Sequence, residues 1–330
     1  MNQTKNKTLL LLPLRDWIGL SVFLAIIIFL YFFCPLDTRN TQTPAQWISG
    51  QWNPKSDNEH GWLIPLFSIW MIIHAAKSLK NEHVKGSIQG LWVILLGSLM
   101  ILIAHRTLQP RFVIMAFPIL LLGAIWTYWG KRFAICLTFP LLYLWLVMPM
   151  PGLQQATVHL QLLSTEMAHW GAGLFGVETI MEGTTLHATN SDWDTFNIAG
   201  GCSGIRSLLA LLMISIAWGY LADKLALWKR VLLALSAIPL AIIGNGFRVA
   251  SILVCAEHIN PAFAGKAWHD WSGLLLFFPA TLFGLTVLHS ILAGEIPFLK
   301  KRKTVIIRRG PTETLDSNTS DEQKGESNHE

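Results

Sequence analysis

The sequence carries few charged side chains for its length. They make up 14% of the 330 residues, whereas a soluble domain carries about 25%. Hydrophobic residues make up 52%, and the mean hydropathy is +0.44. This composition excludes an ordinary soluble domain and indicates that lipid surrounds much of the chain. The 15 tryptophans fit this interpretation, because indole rings favour the membrane–water boundary.

Several sequence signatures of metal, nucleotide and nucleic-acid sites are also missing. The four cysteines make no CxxC pair, which argues against a zinc site or a redox motif. The histidines form no HExxH motif, and the glycine-rich segment 200–204 lacks the lysine of a phosphate-binding loop. Most of the histidines, His60 among them, are interpreted as loop or helix-surface residues. The missing motifs predict no metal and no cofactor. Because the basic residues form no stripe with interleaved aromatics, we also expect no nucleic-acid partner.

Long apolar segments predict an all-α membrane protein with about eight transmembrane helices. A membrane-spanning helix needs about 20 apolar residues. The candidates are residues 17–34, 62–76, 88–104, 112–129, 133–148, 203–221, 231–255 and 271–292. The first is interpreted as a retained helix, since no small-residue cleavage site follows it. The seventh contains Pro239 and Gly244-Asn245-Gly246, and we expect it to kink there.

Basic residues occur in every second loop between these segments. They are Lys5, Lys7 and Arg15; Lys77, Lys80 and Lys85; Lys131 and Arg132; Lys224, Lys229 and Arg230; and a cluster at 300–309. Cytoplasmic loops carry an excess of Lys and Arg, so both termini are predicted to be cytoplasmic. Arg106 and Arg111 are the exception in the alternate loops. We therefore divide the chain into a cytoplasmic N-terminus (1–16), a multi-pass membrane domain (17–298) and a basic, then disordered, cytoplasmic tail (299–330).

The predicted topology leaves two folded segments on the outer face of the membrane and one connection. Residues 153–175 have the pattern of an amphipathic helix, which we expect to lie on the membrane surface. Residues 177–199 alternate in polarity and predict a short β-hairpin. Residues 256–270 are expected to connect the seventh and eighth helices.

Cys202 opens the sixth helix in the segment Gly200-Gly201-Cys202-Ser203-Gly204. The positive end of a helix dipole favours the nucleophilic thiolate. Ser203 can cap the helix, and Arg206, one turn later, adds positive potential. The flanking glycines allow a substrate backbone to approach closely. This local context allows two interpretations of Cys202: it is a catalytic nucleophile, or it is simply a small residue at the start of a helix.

Two further residues are candidates because of their chemistry and their predicted level in the membrane. Arg248 lies inside the seventh helix, where a charged side chain marks a functional site or a buried pair. Alternatively, its long side chain extends to the membrane–water interface. Asn245 shares its helix face. His269 lies at the outer end of the eighth helix and is the residue type that most often shuttles a proton for a thiol. The topology predicts that Cys202, Arg248 and His269 share one outer level.

These motifs resemble the exosortase/archaeosortase family of membrane cysteine transpeptidases. The resemblance extends from about residue 60 to about residue 293. It is carried by Cys202-Ser-Gly-Ile-Arg-Ser207, by Asn245-Gly-Phe-Arg248-Val249, by His269, by His60-Gly-Trp-Leu-Ile-Pro65 and by Gly176-Val-Glu-Thr-Ile-Met-Glu-Gly183. The resemblance implies a multi-pass protein of the bacterial inner membrane whose active site faces the periplasmic, outer side.

The resemblance also implies a reaction. The substrate would be a secreted protein with a C-terminal sorting signal of the PEP-CTERM kind, composed of a short motif, a membrane helix and a basic tail. Cys202 would be the nucleophile, Arg248 would stabilise the oxyanion, and His269 would act as general acid and base. The acceptor would be a polysaccharide or lipid-linked carrier, and both transfer and plain hydrolysis stay open.

Three other functions are compatible with a multi-pass chain. A transporter would place polar residues near the bilayer midplane, whereas here they gather at one predicted face. A non-catalytic component of exopolysaccharide export would use the same three residues for packing. An acyltransferase would rely on an outer-face histidine.

Overall fold

The computed structural model describes residues 13–36, 41–53, 58–79, 82–149, 153–189, 193, 195–197 and 205–294. For residues 153–157 and 195–197 it describes the main chain alone. The predicted nucleophile Cys202 and the predicted cap Ser203 lie outside the described residues. So do the predicted tail 299–330 and most of the predicted N-terminal segment 1–16.

Helices dominate the described part of the chain. The α-helices are α1 Leu14–Phe32, α2 Pro44–Gly50, α3 Leu63–Ser78, α4 Gly90–Thr107, α5 Pro110–Tyr128, α6 Lys131–Leu142, α7 Leu153–Gly173, α8 Ile205–Leu221, α9 Leu227–Leu235, α10 Ala237–His258, α11 Pro261–Phe263, α12 His269–Ser272 and α13 Phe278–Leu292. Glu59–Trp62 and Tyr143–Val147 are 3₁₀ turns, and Ala264–Trp268 and Gly273–Phe277 are π-helical turns. The strands are β1 Thr179–Glu182, β2 Thr185–Ala188 and β3 Thr195–Asn197.

Five helical segments of the described chain are long and apolar enough to cross a membrane. They are Leu14–Phe32, Gly90–Thr107, Pro110–Tyr128, Leu227–His258 and Pro261–Leu292, and Ile205–Leu221 is a shorter apolar helix. The two other predicted segments contain the shorter helices α3 and α6. A multi-pass membrane protein is therefore confirmed. The total of eight spans and the cytoplasmic position of both termini stay predictions.

Helix α10 lies at the centre of the packing and contacts α7, α8 and α13. Two glycines permit this close approach. A Cβ atom at Gly246 would lie 2.7 Å from the Cβ of Met167 in α7, and one at Gly244 would lie 2.7 Å from Thr281 Cγ2 in α13. Between them, Asn245 Nδ2 donates to Ser164 Oγ in α7 at 3.1 Å. These contacts fix the position of the next turn of α10.

The seventh predicted helix is interrupted just before Pro239, as predicted, but not at the glycines. Helix α9 ends at Leu235, and α10 begins at Ala237 and continues as an α-helix through Gly244-Asn245-Gly246. The break precedes Pro239 because proline has no N–H for the carbonyl of the residue four positions earlier, and its ring clashes with that carbonyl. The glycines serve close packing and leave the helix uninterrupted.

The eighth predicted helix begins about ten residues earlier than predicted. Asn260 caps it, since its Oδ1 accepts from the N–H groups of Ala262 at 2.8 Å and Phe263 at 3.1 Å. Helical structure then continues to Leu292. The predicted connection 256–270 is therefore mostly helical, and His269 lies about two turns inside the helix. It also lies between the two π-helical turns, which often mark functional sites.

The predicted hairpin is confirmed and extended by a third strand. Strand β1 pairs antiparallel with β2, which pairs antiparallel with β3. Gly183 is the first residue of the two-residue turn and has φ +61°, which suits glycine there in a tight hairpin. Trp193 Nε1 donates to Glu257 Oε2 at 2.8 Å and ties this region to α10. Residues 153–173 form the predicted helix α7, and its location on the membrane surface stays a prediction.

Candidate active site

A polar cavity of about 500 Å³ brings together several predicted site residues. It lies between the 3₁₀ turn Glu59–Trp62, the first turns of α8, the middle of α10 and the segment from α12 to α13. Its lining residues are Glu59, His60, Trp62, Leu63, Arg206, Ser207, Ala210, Arg248, His269, Asp270, Gly273 and Phe278. Three residues predicted from separate sequence motifs, Arg206, Arg248 and His269, therefore line one cavity.

Arg248 is held in place by the helical segment that carries His269. Its side chain is buried, with 9% of the residue exposed. Its Nε donates to Ser272 Oγ at 3.1 Å, and its Nη2 donates to the main-chain oxygen of His269 at 3.0 Å. Gly273 lies beside the guanidinium, since a Cβ there would be in ordinary van der Waals contact with Arg248 Cζ at 3.7 Å. Among the residues that the structure describes, these bonds use two of the five N–H donors of the guanidinium.

A second set of hydrogen bonds fastens the same helical segment to α10. Ser251 Oγ donates to the main-chain oxygen of Arg248 at 2.6 Å and accepts from Trp268 Nε1 at 3.1 Å. Ser272 Oγ also donates to the main-chain oxygen of His269 at 3.1 Å. The backbone around His269 is therefore tied to Arg248 from both sides, which limits how far the two residues can move apart.

The imidazole of His269 pairs with the neighbouring carboxylate. Its Nδ1 lies 3.1 Å from Asp270 Oδ1, and the two side chains are 28% and 75% exposed. A proton on Nδ1 would be donated to this carboxylate, which makes Nε2 the basic nitrogen. Because Asp270 is largely exposed, solvent screens the pair. The arrangement suits orientation of the ring better than strong stabilisation of its charged form.

Helix α8 brings its N-terminal turns to the cavity. Arg206, Ser207 and Ala210 all line it, so the positive end of the α8 dipole lies at this site. Asn245, predicted as a supporting residue, is not among the lining residues, and its amide bonds to Ser164 in α7. We infer that Asn245 contributes to helix packing beside the site.

His60 also lines the cavity, and its interpretation as a loop or helix-surface residue is wrong because the side chain is buried. Only 6% of the residue is exposed, and its Nε2 has no hydrogen-bond partner among the residues described. Burial lowers the pKa of His60 to about 4, so the imidazole is uncharged at neutral pH. The signal available in the sequence was the segment His60-Gly-Trp-Leu-Ile-Pro65, which contributes to the family resemblance.

The turn that carries His60 is fixed by neighbours on both sides. Asn58 is buried, and its Nδ2 donates to the main-chain oxygen of Val147 at 2.8 Å. Gly61 lies so close to the indole of Trp52 that any side chain at this position would clash with the ring. The position of His60 at the cavity wall is thus determined by packing.

Charges of both signs line the cavity. Arg206 and Arg248 provide two guanidinium groups, and Glu59 and Asp270 provide two carboxylates. Within the described ranges, no group of three or more His, Cys, Asp or Glu side chains could hold a metal ion. The described groups are suited to hydrogen bonding and proton transfer on a polar substrate.

Comparison with known proteins identifies the family. The family model described as transmembrane exosortase matches residues 52–286, which is more than two thirds of the chain and includes every residue that lines the cavity. No curated protein and no solved structure shows a significant match. The chain therefore belongs to the transmembrane exosortase family.

Proposed function

We propose that the protein is a membrane-embedded cysteine peptidase or transpeptidase. It cleaves the C-terminal sorting signal of secreted proteins at the outer face of the membrane and transfers them to an acceptor. One observation carries this proposal: Arg248 and His269 line a single polar cavity with Arg206 in the first turn of α8. An oxyanion-binding cation and a proton shuttle at one site are two of the three groups that thiol-based acyl transfer requires.

Chain connectivity supports Cys202 as the third group. Cys202 precedes Ile205, the first residue of α8, by three residues. Three extended residues span at most about 11 Å. We therefore expect the thiol near the α8 N-terminus, where Arg206 and Ser207 line the cavity.

The first half of the reaction forms a thioester. The Cys202 thiol gives its proton to His269, and the sulfur attacks the carbonyl carbon of the scissile bond. The carbonyl oxygen becomes an oxyanion that accepts hydrogen bonds from Arg248. The C–N bond then breaks, His269 returns the proton to the leaving amine, and the membrane helix and basic tail depart.

The second half releases the secreted protein. A nucleophile on a polysaccharide or lipid-linked acceptor gives its proton to His269 and attacks the thioester carbon. The C–S bond breaks, and His269 returns the proton to the Cys202 sulfur. Water in place of the acceptor gives hydrolysis by the same steps.

An apolar cavity of about 770 Å³ beside the site fits a substrate with a membrane helix. Its lining follows α10 from Leu240 to His258, a length close to the hydrocarbon thickness of about 30 Å. Phe247 and Ser251 line this cavity, and Arg248 between them lines the polar one. The two cavities therefore adjoin each other through α10 at Arg248.

The proposal is tested by following processing of a tagged reporter that ends in a motif, a membrane helix and a basic tail. Cys202→Ala is expected to abolish removal of the tail. The matched control is a protein in which Cys34 and Cys136, which line neither cavity, are both replaced by alanine, and it is expected to retain processing. A Cys202→Ala protein that inserts normally and still processes the reporter would show that the cysteine mechanism is wrong.

The same experiment identifies the covalent intermediate. Wild-type protein is expected to form an adduct with the reporter that hydroxylamine releases, since hydroxylamine cleaves thioesters. Hydroxylamine should not release any adduct from the Cys202→Ala protein. Absence of both processing and adduct in the wild type would favour a non-catalytic role in exopolysaccharide export.

A further inference from the structure

We propose that His60 is a substrate-binding residue of the polar cavity, where its imidazole Nε2 forms a hydrogen bond to the backbone of the bound peptide beside the scissile bond. The inference rests on the proposed function, because it names a contact within the same site. It assigns a role to a histidine that the acyl-transfer steps do not use.

The first support is the unsatisfied state of a buried polar atom. Nε2 of His60 is buried and has no hydrogen-bond partner in the described part of the chain. Native proteins satisfy the large majority of such atoms, and each exception calls for an explanation. A ligand supplies one here, because His60 lines the same cavity as Arg248 and His269.

The second support is the rigidity of the turn. Asn58 anchors it through Val147, and Trp52 packs against Gly61. These contacts hold the main chain on both sides of His60 and keep the residue at the cavity wall. A residue held there loses little conformational freedom when a peptide binds in the cavity.

The charge state favours a hydrogen bond over proton transfer. Burial lowers the pKa of His60 to about 4, so the ring is a poor base for a thiol, whose pKa is ordinarily about 8.5. The neighbouring charged or titratable groups in the cavity are Glu59, Arg206, Arg248, His269 and Asp270. Among them, His269 already has a carboxylate partner that orients its ring, and it retains the proton-transfer role.

A peptide backbone suits this contact because it offers both an N–H and a C=O at each residue. Nε2 of an uncharged imidazole acts as donor or acceptor according to its tautomer. Either form can bind one of the two backbone groups. The contact would thus fix the main chain of the motif without depending on its side chains.

The test compares His60→Leu with His60→Gln. Leucine fills similar space without a polar atom, whereas the glutamine amide can occupy the position of Nε2. For His60→Leu we expect KM for the reporter to rise about tenfold with kcat changed much less, the effect of one lost hydrogen bond. His60→Gln should recover most of the loss, and its pH profile between pH 6 and 8 should match that of the wild type.

A stability measurement separates binding from folding. His60→Leu removes a buried unsatisfied atom, so its Tm in detergent is expected to equal or exceed that of the wild type. The matched control is His289→Leu: His289 lies in α13, its Nδ1 accepts from Trp218 Nε1 at 3.1 Å, and it lines a different cavity. This control should lower Tm and leave processing unchanged.

The outcomes distinguish this inference from the proposed function. If wild-type protein processes the reporter and His60→Leu does so with the same KM, the binding role is overturned. If both His60 variants lose kcat and their pH profiles lack a titrating group that the wild-type profile shows, His60 is the proton shuttle and the binding role is again overturned. A wild-type protein without activity would instead contradict the proposed function. Reporter capture by the Cys202→Ala protein, weakened about tenfold by His60→Leu, would then still support the binding site.

Discussion

The guanidinium of Arg248 donates to the main-chain carbonyl of His269 at 3.0 Å. The cation proposed to stabilise the oxyanion therefore also holds the backbone of the proposed acid and base. Ser272 lies between them, accepting from Arg248 Nε and donating to the same carbonyl. A change at Arg248 consequently alters two functions of the site at once.

Arg248→Lys is expected to reduce processing about 100-fold even though it keeps the positive charge. A lysine ammonium cannot reproduce the planar arrangement of Nε and Nη2 that reaches Ser272 and His269 together, and loss of one oxyanion donor alone lowers kcat by about 10² to 10³. The measurement is the single-turnover rate of tail removal. Arg132→Lys is the control, because Arg132 is an exposed residue paired with Glu82 at 2.9 Å, and it should process normally. If Arg248→Lys removes the tail at a rate within about threefold of the wild-type rate, the oxyanion role is contradicted.

Ser272→Ala tests the connection between Arg248 and His269 while both of these residues stay unchanged. The hydroxyl is fully buried and makes hydrogen bonds to both. Its loss should lower the free energy of unfolding by about 1 to 2 kcal/mol, and we expect processing to slow several-fold through kcat. Thr286→Ala is a control of the same chemistry, since the exposed hydroxyl of Thr286 donates to the main-chain oxygen of Leu282 within α13. A stability loss with unchanged kcat would show that Ser272 serves packing alone.

Hydropathy predicted where the helices lie because a membrane helix needs a long apolar run. Each of the eight predicted segments contains helix. The start of the last helix was missed because residues 256–270 include Glu257, Lys266 and Asp270, which lower hydropathy without opposing helix formation. Asn260 followed by Pro261 was the capping signal that could have located it.

The sequence also predicted part of the candidate site. Arg248 is conspicuous as a charged residue inside an apolar segment, whereas His269 was predicted from its helix end and from the family resemblance. The cavity brings both together with Arg206. His60 was overlooked because burial and the absence of a partner depend on Trp52 and Val147, which lie elsewhere in the chain. No local pattern reports such contacts. Cys202 lies outside the described residues, and its role stays a proposal.

The close contact between α10 and α7 depends on Gly246, and a larger residue there should disturb the site. A Cβ at this position would lie 2.7 Å from Met167 Cβ, so Gly246→Val is expected to destabilise the fold by about 1 to 3 kcal/mol. The shift of α10 should also slow processing, since Arg248 lies two residues further on. Gly173→Ala at the end of α7 is the control, because no atom lies within 4 Å of a Cβ there. Equal Tm values for the two variants would contradict the packing role of Gly246.

The low pKa of His60 predicts how stability changes with pH. The ordinary histidine pKa is 6.5, and burial lowers it to about 4 in the folded protein. Between these values the unfolded chain binds a proton that the folded protein does not, so stability falls as the pH falls from about 6.5 to about 4. This one group contributes roughly 2 to 3 kcal/mol of that loss at pH 4.5.

His60→Leu removes this titrating group. The Tm of the variant should therefore fall about 5 °C less than that of the wild type between pH 7 and pH 4.5. Carboxylates that titrate in the same range affect both proteins equally, so the difference between the two Tm shifts isolates His60. Equal shifts would mean that the His60 ring is solvated in the folded protein.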